Sequence, residues 1–295
     1  MKYKWLILLL AVFVAVGVGV LVLTQPDRVK KALNQGVGKL QETRYDMPAR
    51  GICARHGTPL THPDDTLVSF RRAVEVGAHM IKFVAQPCED GEMIVMRDPE
   101  VDRTTNGKGR VQDLTLAEIK ALDAGTWKNK EFAGTQVPTL REVLRAMPKD
   151  IWIVVDMRHG RAVGREVARI VVAERRQHQV ILACSSEAIA GAREVDPSLH
   201  ICNMQGQANS QKYIDATIAA KADFIQLHGP PDDTFKTWLD AAKKAGLKVI
   251  YFGTDLPDEA KKVLEMGADF VVTHNAQVLV DAAVDAGVPR LVPRN

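Results

Sequence analysis

The chain has 295 residues, is 46% hydrophobic and 25% charged, and sets 39 Lys+Arg against 36 Asp+Glu for a formal net charge of +3. That balance is too mild to indicate a nucleic-acid partner, and an aromatic content of 5% excludes a base-stacking platform. Cys53, Cys88, Cys184 and Cys202 lack CxxC or Cys/His spacing, which excludes a disulfide scaffold and reads as four core thiols.

In chain order, Lys2 and Lys4 precede an uncharged stretch of 20 residues, Trp5–Thr24. As a helix rising about 1.5 Å per residue it spans about 30 Å of hydrocarbon. No small-x-small cleavage site follows it, so residues 1–24 are expected to be an uncleaved, single-pass membrane anchor. Lys2 and Lys4 favour an inside N-terminus, while Arg28, Lys30, Lys31 and Lys39 pull the other way. The reading is a membrane protein with an extracytoplasmic, periplasmic domain, its orientation left open by these flanks. Residues 25–46 are polar and read as a juxtamembrane linker.

The remaining 249 residues, 47–295, have the length of one (β/α)8 barrel. Short apolar runs occur at Gly51–Ala54, His79–Val84, Ile151–Asp156, Gln179–Ala183, Leu199–Cys202, Asp223–Leu227, Lys248–Phe252 and Asp269–Thr273. Helical spacing separates most of them, as at Thr66–Val76, Arg161–Arg175, Thr234–Ala245 and Pro257–Met266, with Ala276–Ala286 after the last. Strands alternating with helices predict a parallel sheet buried on both faces, and eight units predict its closure into an α/β barrel of the TIM type. No GxGxxG follows the first run to indicate a dinucleotide fold. About 65 residues, 85–150, separate the second run from the third, so a small insertion is expected there at the C-terminal face.

That insertion carries DPEVDRTTNGKG, DLTLAEIKALDAG and FAGTQVPTL between Asp98 and Leu144. The series resembles the glycerophosphodiester phosphodiesterases. The resemblance extends to Pro63, Thr66 and Phe70, to Asp90-Gly91, to Asp98-Pro99 and to Lys248–Asp255, and so covers most of the domain. It implies a (β/α)8 barrel with an insertion after strand two, and phosphodiester hydrolysis in lipid metabolism. It also implies a divalent cation held by carboxylates, with two histidines as acid, base or nucleophile.

The positions matching the family's catalytic motifs are substituted. Where the family has HRG there is Arg55-His56-Gly57, and Asp64-Asp65-Thr66 replaces Glu-Asn-Thr. Lys82-Phe83-Val84 stands for the metal-binding Glu-x-Asp, Arg97 for the second histidine, and Asp156-Met157-Arg158 for Glu-x-Lys. Asp156, with Asp64 as a shorter stand-in, is a poor ligand set for a hard cation, so no metal or other cofactor is expected. All these positions fall at C-terminal strand ends or adjacent loops, so Arg55, Lys82, Arg97 and Arg158 are expected to converge. Lys82 is expected beside Asp156, with the arginines binding phosphate or carboxylate. The competing reading is a relic pocket whose arginines pair with Asp64, Asp65 and Asp98.

His56 is the best remaining catalytic candidate, while His228 and His274, closing two later strands, are secondary and His62 reads as a loop residue. Arg55-His56-Gly57 also matches the RHG of histidine phosphatases, but at a barrel strand it is a coincidence. Asn106-Gly107-Lys108-Gly109 lacks phosphate-loop spacing and reads as a turn. The functional expectation is a membrane-anchored, catalytically impaired pseudoenzyme that binds a phosphorylated lipid head group or acts as a scaffold. An active phosphoric diester hydrolase and an accessory subunit with a membrane-protein partner remain alternatives.

Overall fold

The structure, a computed structural model, describes residues 45–158 and 160–293. The expected anchor and the linker up to residue 44 lie outside the described residues. Among the described residues no helix is long and apolar enough to cross a membrane.

The strands are β1 (Gly51–Arg55), β2 (Met80–Pro87), β3 (Met93–Val95), β4 (Trp152–Asp156), β5 (Val180–Cys184), β6 (His200–Asn203), β7 (Phe224–His228), β8 (Lys248–Phe252) and β9 (Phe270–Thr273). All but β3 are parallel, and β1 pairs with both β2 and β9, which closes an eight-stranded barrel. The helices are α1 (Leu67–Glu75), α2 (Leu116–Lys120), α3 (Leu140–Ala146), α4 (Arg161–Ala173), α5 (Ser186–Arg193), α6 (Gln211–Ala219), α7 (Asp233–Lys244), α8 (Pro257–Met266) and α9 (Ala276–Asp285). Each of the eight apolar runs became a barrel strand because it is buried on both faces.

Strand alternation sorts the side chains into two cores. Ile52, Phe83, Val155, Leu182 and Val271 point outward under the helices, and Phe70 of α1 lies in the same core. Cys53, Met80, Val154, Ile181, Cys202, Phe224, Ile250 and Val272 fill the barrel interior. Towards the start of the strands, Trp152 and Phe224 meet edge to face at 5.5 Å, with Lys248 Nζ over both rings. The four cysteines are free and buried.

Local signals fix the helix ends. Thr66 caps α1 by accepting from the Ser69 amide, Asp232 caps α7 from Phe235, and Pro257 opens α8. Gly267, at φ 110°, ends α8 in a left-handed turn that other residues enter only with strain.

The insertion is tighter than expected. Ala85–Pro87 belong to β2, which runs past the apolar stretch because β3 pairs antiparallel with its far end. At the other boundary α3 is the helix that leads back to β4, so the inserted part lies within 88–138. It has its own small core, including Cys88, Ile94, Met96, Val101, Val111, Ile119 and Val137.

The family-like motifs build this insertion. Thr115 with Glu118, and Thr139 with Glu142, form reciprocal capping boxes at α2 and α3. Asp123 accepts from the amides of Gly125, Thr126 and Gly134, and Asn106 Oδ1 accepts from the Asp123 amide. A Cβ at Gly125 would lie 1.8 Å from the Phe132 carbonyl oxygen, so only glycine fits beneath that turn.

Candidate functional site

Continuing each inward row to the C-terminal end of its strand gives the floor and wall of a cavity. Arg55 follows Cys53, Lys82 follows Met80, Asp156 follows Val154, Gln226 and His228 follow Phe224, and Phe252 follows Ile250. These six residues, with Met204, Gln207, Gly229 and Gly253, line a cavity of about 510 Å³ at the barrel mouth. Strand ends converge there because all eight strands point the same way.

Lys82 sits at the floor, 5% exposed. Its Nζ donates to Gln226 Oε1 at 2.8 Å and lies 3.5 Å from Asp156 Oδ2. Arg55 stands beside it on the neighbouring strand, its guanidinium 4.9 Å above the centre of the Phe252 ring. Burial lowers the Arg55 pKa, the charge of Arg97 lowers it further, and Asp156 pulls it back.

His274 follows Val272 at the end of β9. Its Nε2 is 3.5 Å from Arg55 Nη1, and its Nδ1 is 3.4 Å from Asp255 Oδ2. Asp255 is in turn held by the Thr273 hydroxyl at 2.6 Å and the His274 amide at 2.7 Å. Burial lowers the His274 pKa, Asp255 opposes that, and Arg55 adds to the lowering.

His56 is placed differently from Arg55 and Lys82. It is 3% exposed and does not line the cavity. Arg55 takes the inward position, and the chain turns at His56, which has φ 60°, towards Asp65, which has φ 56°. The two close on each other, with His56 Nδ1 2.9 Å from Asp65 Oδ1 and the Asp65 amide donating to the His56 carbonyl at 3.2 Å. Two left-handed non-glycine residues cost on the order of 1–3 kcal/mol each, and this closed pair, with Ser69 Oγ on the His56 carbonyl, holds them. His56 Nε2 is buried and has no hydrogen-bond partner, and the ring stacks on His274 with centroids 6.0 Å apart.

The expected convergence of four cations is split between two adjoining hollows. Arg55 and Lys82 line the central cavity, whereas Arg97 and Arg158 line a cleft of about 270 Å³ with Gln86, Arg110 and Gln112. Arg97 Nε also donates to Asp98 Oδ1 at 2.9 Å. Arg103 bonds the other Asp98 oxygen and pairs with Asp64 at 3.1 Å. Burial alone would raise Asp98, but the bonds from Arg103 and Arg97 outweigh it and hold the carboxyl below its ordinary value. The acidic pairing considered for the arginines therefore engages Arg97, while Asp64 goes to Arg103 and Asp65 to His56.

Sequence reasoning missed Gln226, Phe252, Asp255, Arg103 and Arg110. Gln226 and Phe252 had a usable signal, since each continues a period-two row into the mouth. Asp255, Arg103 and Arg110 lie in loops, whose approach to the mouth no periodicity records.

The donors at the floor do not fit a divalent cation. One carboxylate, Asp156, faces the cavity, and an ammonium and a guanidinium stand where further oxygen ligands are needed. Among the described residues no group of three or more His, Cys, Asp or Glu side chains is placed to hold a metal ion.

Residues 56–278 match the glycerophosphoryl diester phosphodiesterase family. The chain is 26% identical over 242 residues to a glycerophosphodiester phosphodiesterase from Caldanaerobacter subterraneus, covering 80% of this chain and 98% of that one. Over 90 residues it is 46% identical to a glycerophosphodiester phosphodiesterase from Bacillus subtilis, covering 28% of this chain and 31% of that one. The fold superposes with TM-score 0.71 on the glycerophosphodiester phosphodiesterase from Agrobacterium tumefaciens, at 22% identity over 79% of this chain and 99% of that one. It superposes equally, at TM-score 0.71 and 22% identity, on an Oleispira antarctica phosphodiesterase in complex with the product sn-glycerol-3-phosphate, covering 79% of this chain and 96% of that one. With the barrel, the insertion and its capping motifs all in place, the chain belongs to the glycerophosphoryl diester phosphodiesterase family.

Proposed function

We propose that this protein is a membrane-anchored member of the family, impaired in metal-dependent hydrolysis, whose barrel mouth binds a phosphorylated head group without a metal ion. The observation that carries the reading is Lys82, a buried ammonium held between Asp156 and Gln226 on the cavity floor beside Arg55. Two fixed cations in a partly desolvated hollow attract a phosphoryl group more strongly than they would in water, and guanidinium groups bond phosphate oxygens in pairs. Gln226, His228 and Asp156 supply donors and an acceptor for hydroxyls of a glycerol-like moiety, and Phe252 supplies an apolar face. The related phosphodiesterase holding sn-glycerol-3-phosphate makes a glycerol phosphate the natural first probe.

The reading is tested by thermal unfolding of the full chain in maltoside detergent with a chelator present. Inorganic phosphate and glycerol phosphate are expected to raise Tm saturably, and Lys82→Gln is expected to abolish the rise. No rise with chelator, with stabilisation only on adding Mg²⁺, would contradict it.

A second reading, residual hydrolysis, is favoured by one observation. His274, held by Asp255 and next to the cavity residue Arg55, has the side-chain neighbours of a general base. Slow turnover of an aryl phosphodiester that persists in chelator and is lost in His274→Gln would establish it.

A further inference from the structure

The cleft beside the central cavity is a second, separate concentration of positive charge. Arg97, Arg110 and Arg158 line its 270 Å³ with Gln86 and Gln112. Among the described residues neither Arg110 nor Arg158 has an ion-pair partner, and Asp98, which bonds Arg97, is shared with Arg103. Two routes along the chain connect it to the cavity. On β2 the successive inward residues Lys82, Val84 and Gln86 climb from the cavity floor into the cleft. After β4, Asp156 lines the cavity and Arg158, two residues on, lines the cleft. The charges of Arg97 and Arg158 both depress the Arg55 pKa, so the two groups share one field.

The geometry points to a ligand with two phosphoryl groups, one at Arg55 and Lys82 in the cavity and the other at Arg97, Arg110 and Arg158 in the cleft. This rests on the proposed anion-binding function of the cavity and names its ligand class. A strand rises about 3.3 Å per residue, so Lys82 to Gln86 sets the spacing of the two anions at roughly 7–13 Å. That fits a small polyol or alkyl chain phosphorylated at both ends and is too long for a pyrophosphate. Three guanidinium groups with one carboxylate among them repel each other, and a second phosphoryl group relieves that repulsion while gaining bidentate bonds.

The test is calorimetric titration of the full chain in maltoside detergent and chelator at fixed ionic strength. The probes are hexanediol monophosphate, hexanediol bisphosphate and pyrophosphate, and the variants are Arg110→Gln, Arg158→Gln and Arg71→Gln, the last an exposed charge on α1 that lines neither hollow. The bisphosphate is expected to bind about tenfold or more tighter than the monophosphate, and pyrophosphate no tighter than the monophosphate. Arg110→Gln and Arg158→Gln are expected to erase the bisphosphate advantage while weakening monophosphate binding far less, whereas Arg71→Gln changes neither. Monophosphate binding without a bisphosphate advantage overturns this inference and leaves the cavity reading standing. An advantage lost equally in Arg71→Gln overturns it as a bulk charge effect, and no binding of any probe overturns both.

Discussion

Lys82 reaches up the barrel wall to Asp156. The register of β2 and β4 sets Lys82 opposite Val154 and Asp156 opposite Val84, yet Lys82 Nζ lies 3.5 Å from Asp156 Oδ2. A flexible four-carbon stem spans the one-layer offset and delivers the ammonium to the cavity floor, where it donates to Gln226 Oε1 at 2.8 Å.

Removing one partner of this pair leaves the other poorly compensated. Asp156→Asn is expected to lower stability by about 1–3 kcal/mol, read as a shift in urea midpoint, because Lys82 is buried and loses its counter-charge. Lys82→Met with Asp156→Leu is expected to recover much of that loss while abolishing phosphate binding. Equal losses in the single and double variants would contradict a coupled pair.

Restoring acids to β2 should restore a cation site. Lys82→Glu with Val84→Asp places two carboxylates on inward positions, one of them opposite Asp156. Mutual repulsion is expected to make this variant less stable than the parent without metal, and Mn²⁺ or Ca²⁺ is expected to raise its Tm strongly while leaving the parent unchanged. A parent chain stabilised by micromolar Mg²⁺ would show that the present donors already suffice.

The insertion should loosen in acid. Bonds from the amides of Gly134 and Thr126, the Thr126 hydroxyl and the Gly125 amide hold the Asp123 carboxyl far below its ordinary pKa. A depressed folded-state pKa gives stability that is present above the unfolded value of about 3.9 and lost as pH falls below it. Hydrogen exchange at Gly125, Thr126 and Gly134 is therefore expected to lose protection in that acid range. Asp123→Asn should lower protection at pH 7 and flatten the dependence, and an unchanged profile would contradict the assignment.

The barrel thiols should be inert. Burial pushes Cys53, Cys184 and Cys202 up to about 12. At pH 8 each is thiolate to roughly one part in ten thousand, so thiol reagents should react with them only as fast as the chain unfolds. Rapid labelling of any of the three in the folded protein would contradict this.

The barrel was legible in the sequence because its strands are buried on both faces and so appear as unbroken apolar runs. The insertion was legible through motifs whose physical task is local, such as the Thr115–Glu118 box and the Asp123 turn, and these bonds do not depend on what the mouth binds. That independence lets the insertion's motifs be read whatever the mouth binds. Arg55 and Lys82 could be placed from strand position. The burial of His56 could not, since it depends on Asp65, nine positions along the chain, folding back onto it. The division of the arginines between cavity and cleft depends on where the insertion rests, which no periodicity encodes.

The central claim is that the cationic floor has replaced metal-dependent hydrolysis with anion binding. Its most direct test is turnover of glycerophosphocholine by the full chain in maltoside detergent, with Mg²⁺, with Ca²⁺ and with chelator. No choline is expected to be released under any of the three conditions, from protein that phosphate stabilises in chelator. Metal-dependent release that disappears in Asp156→Asn would contradict it and make this chain a working diesterase with an altered ligand set.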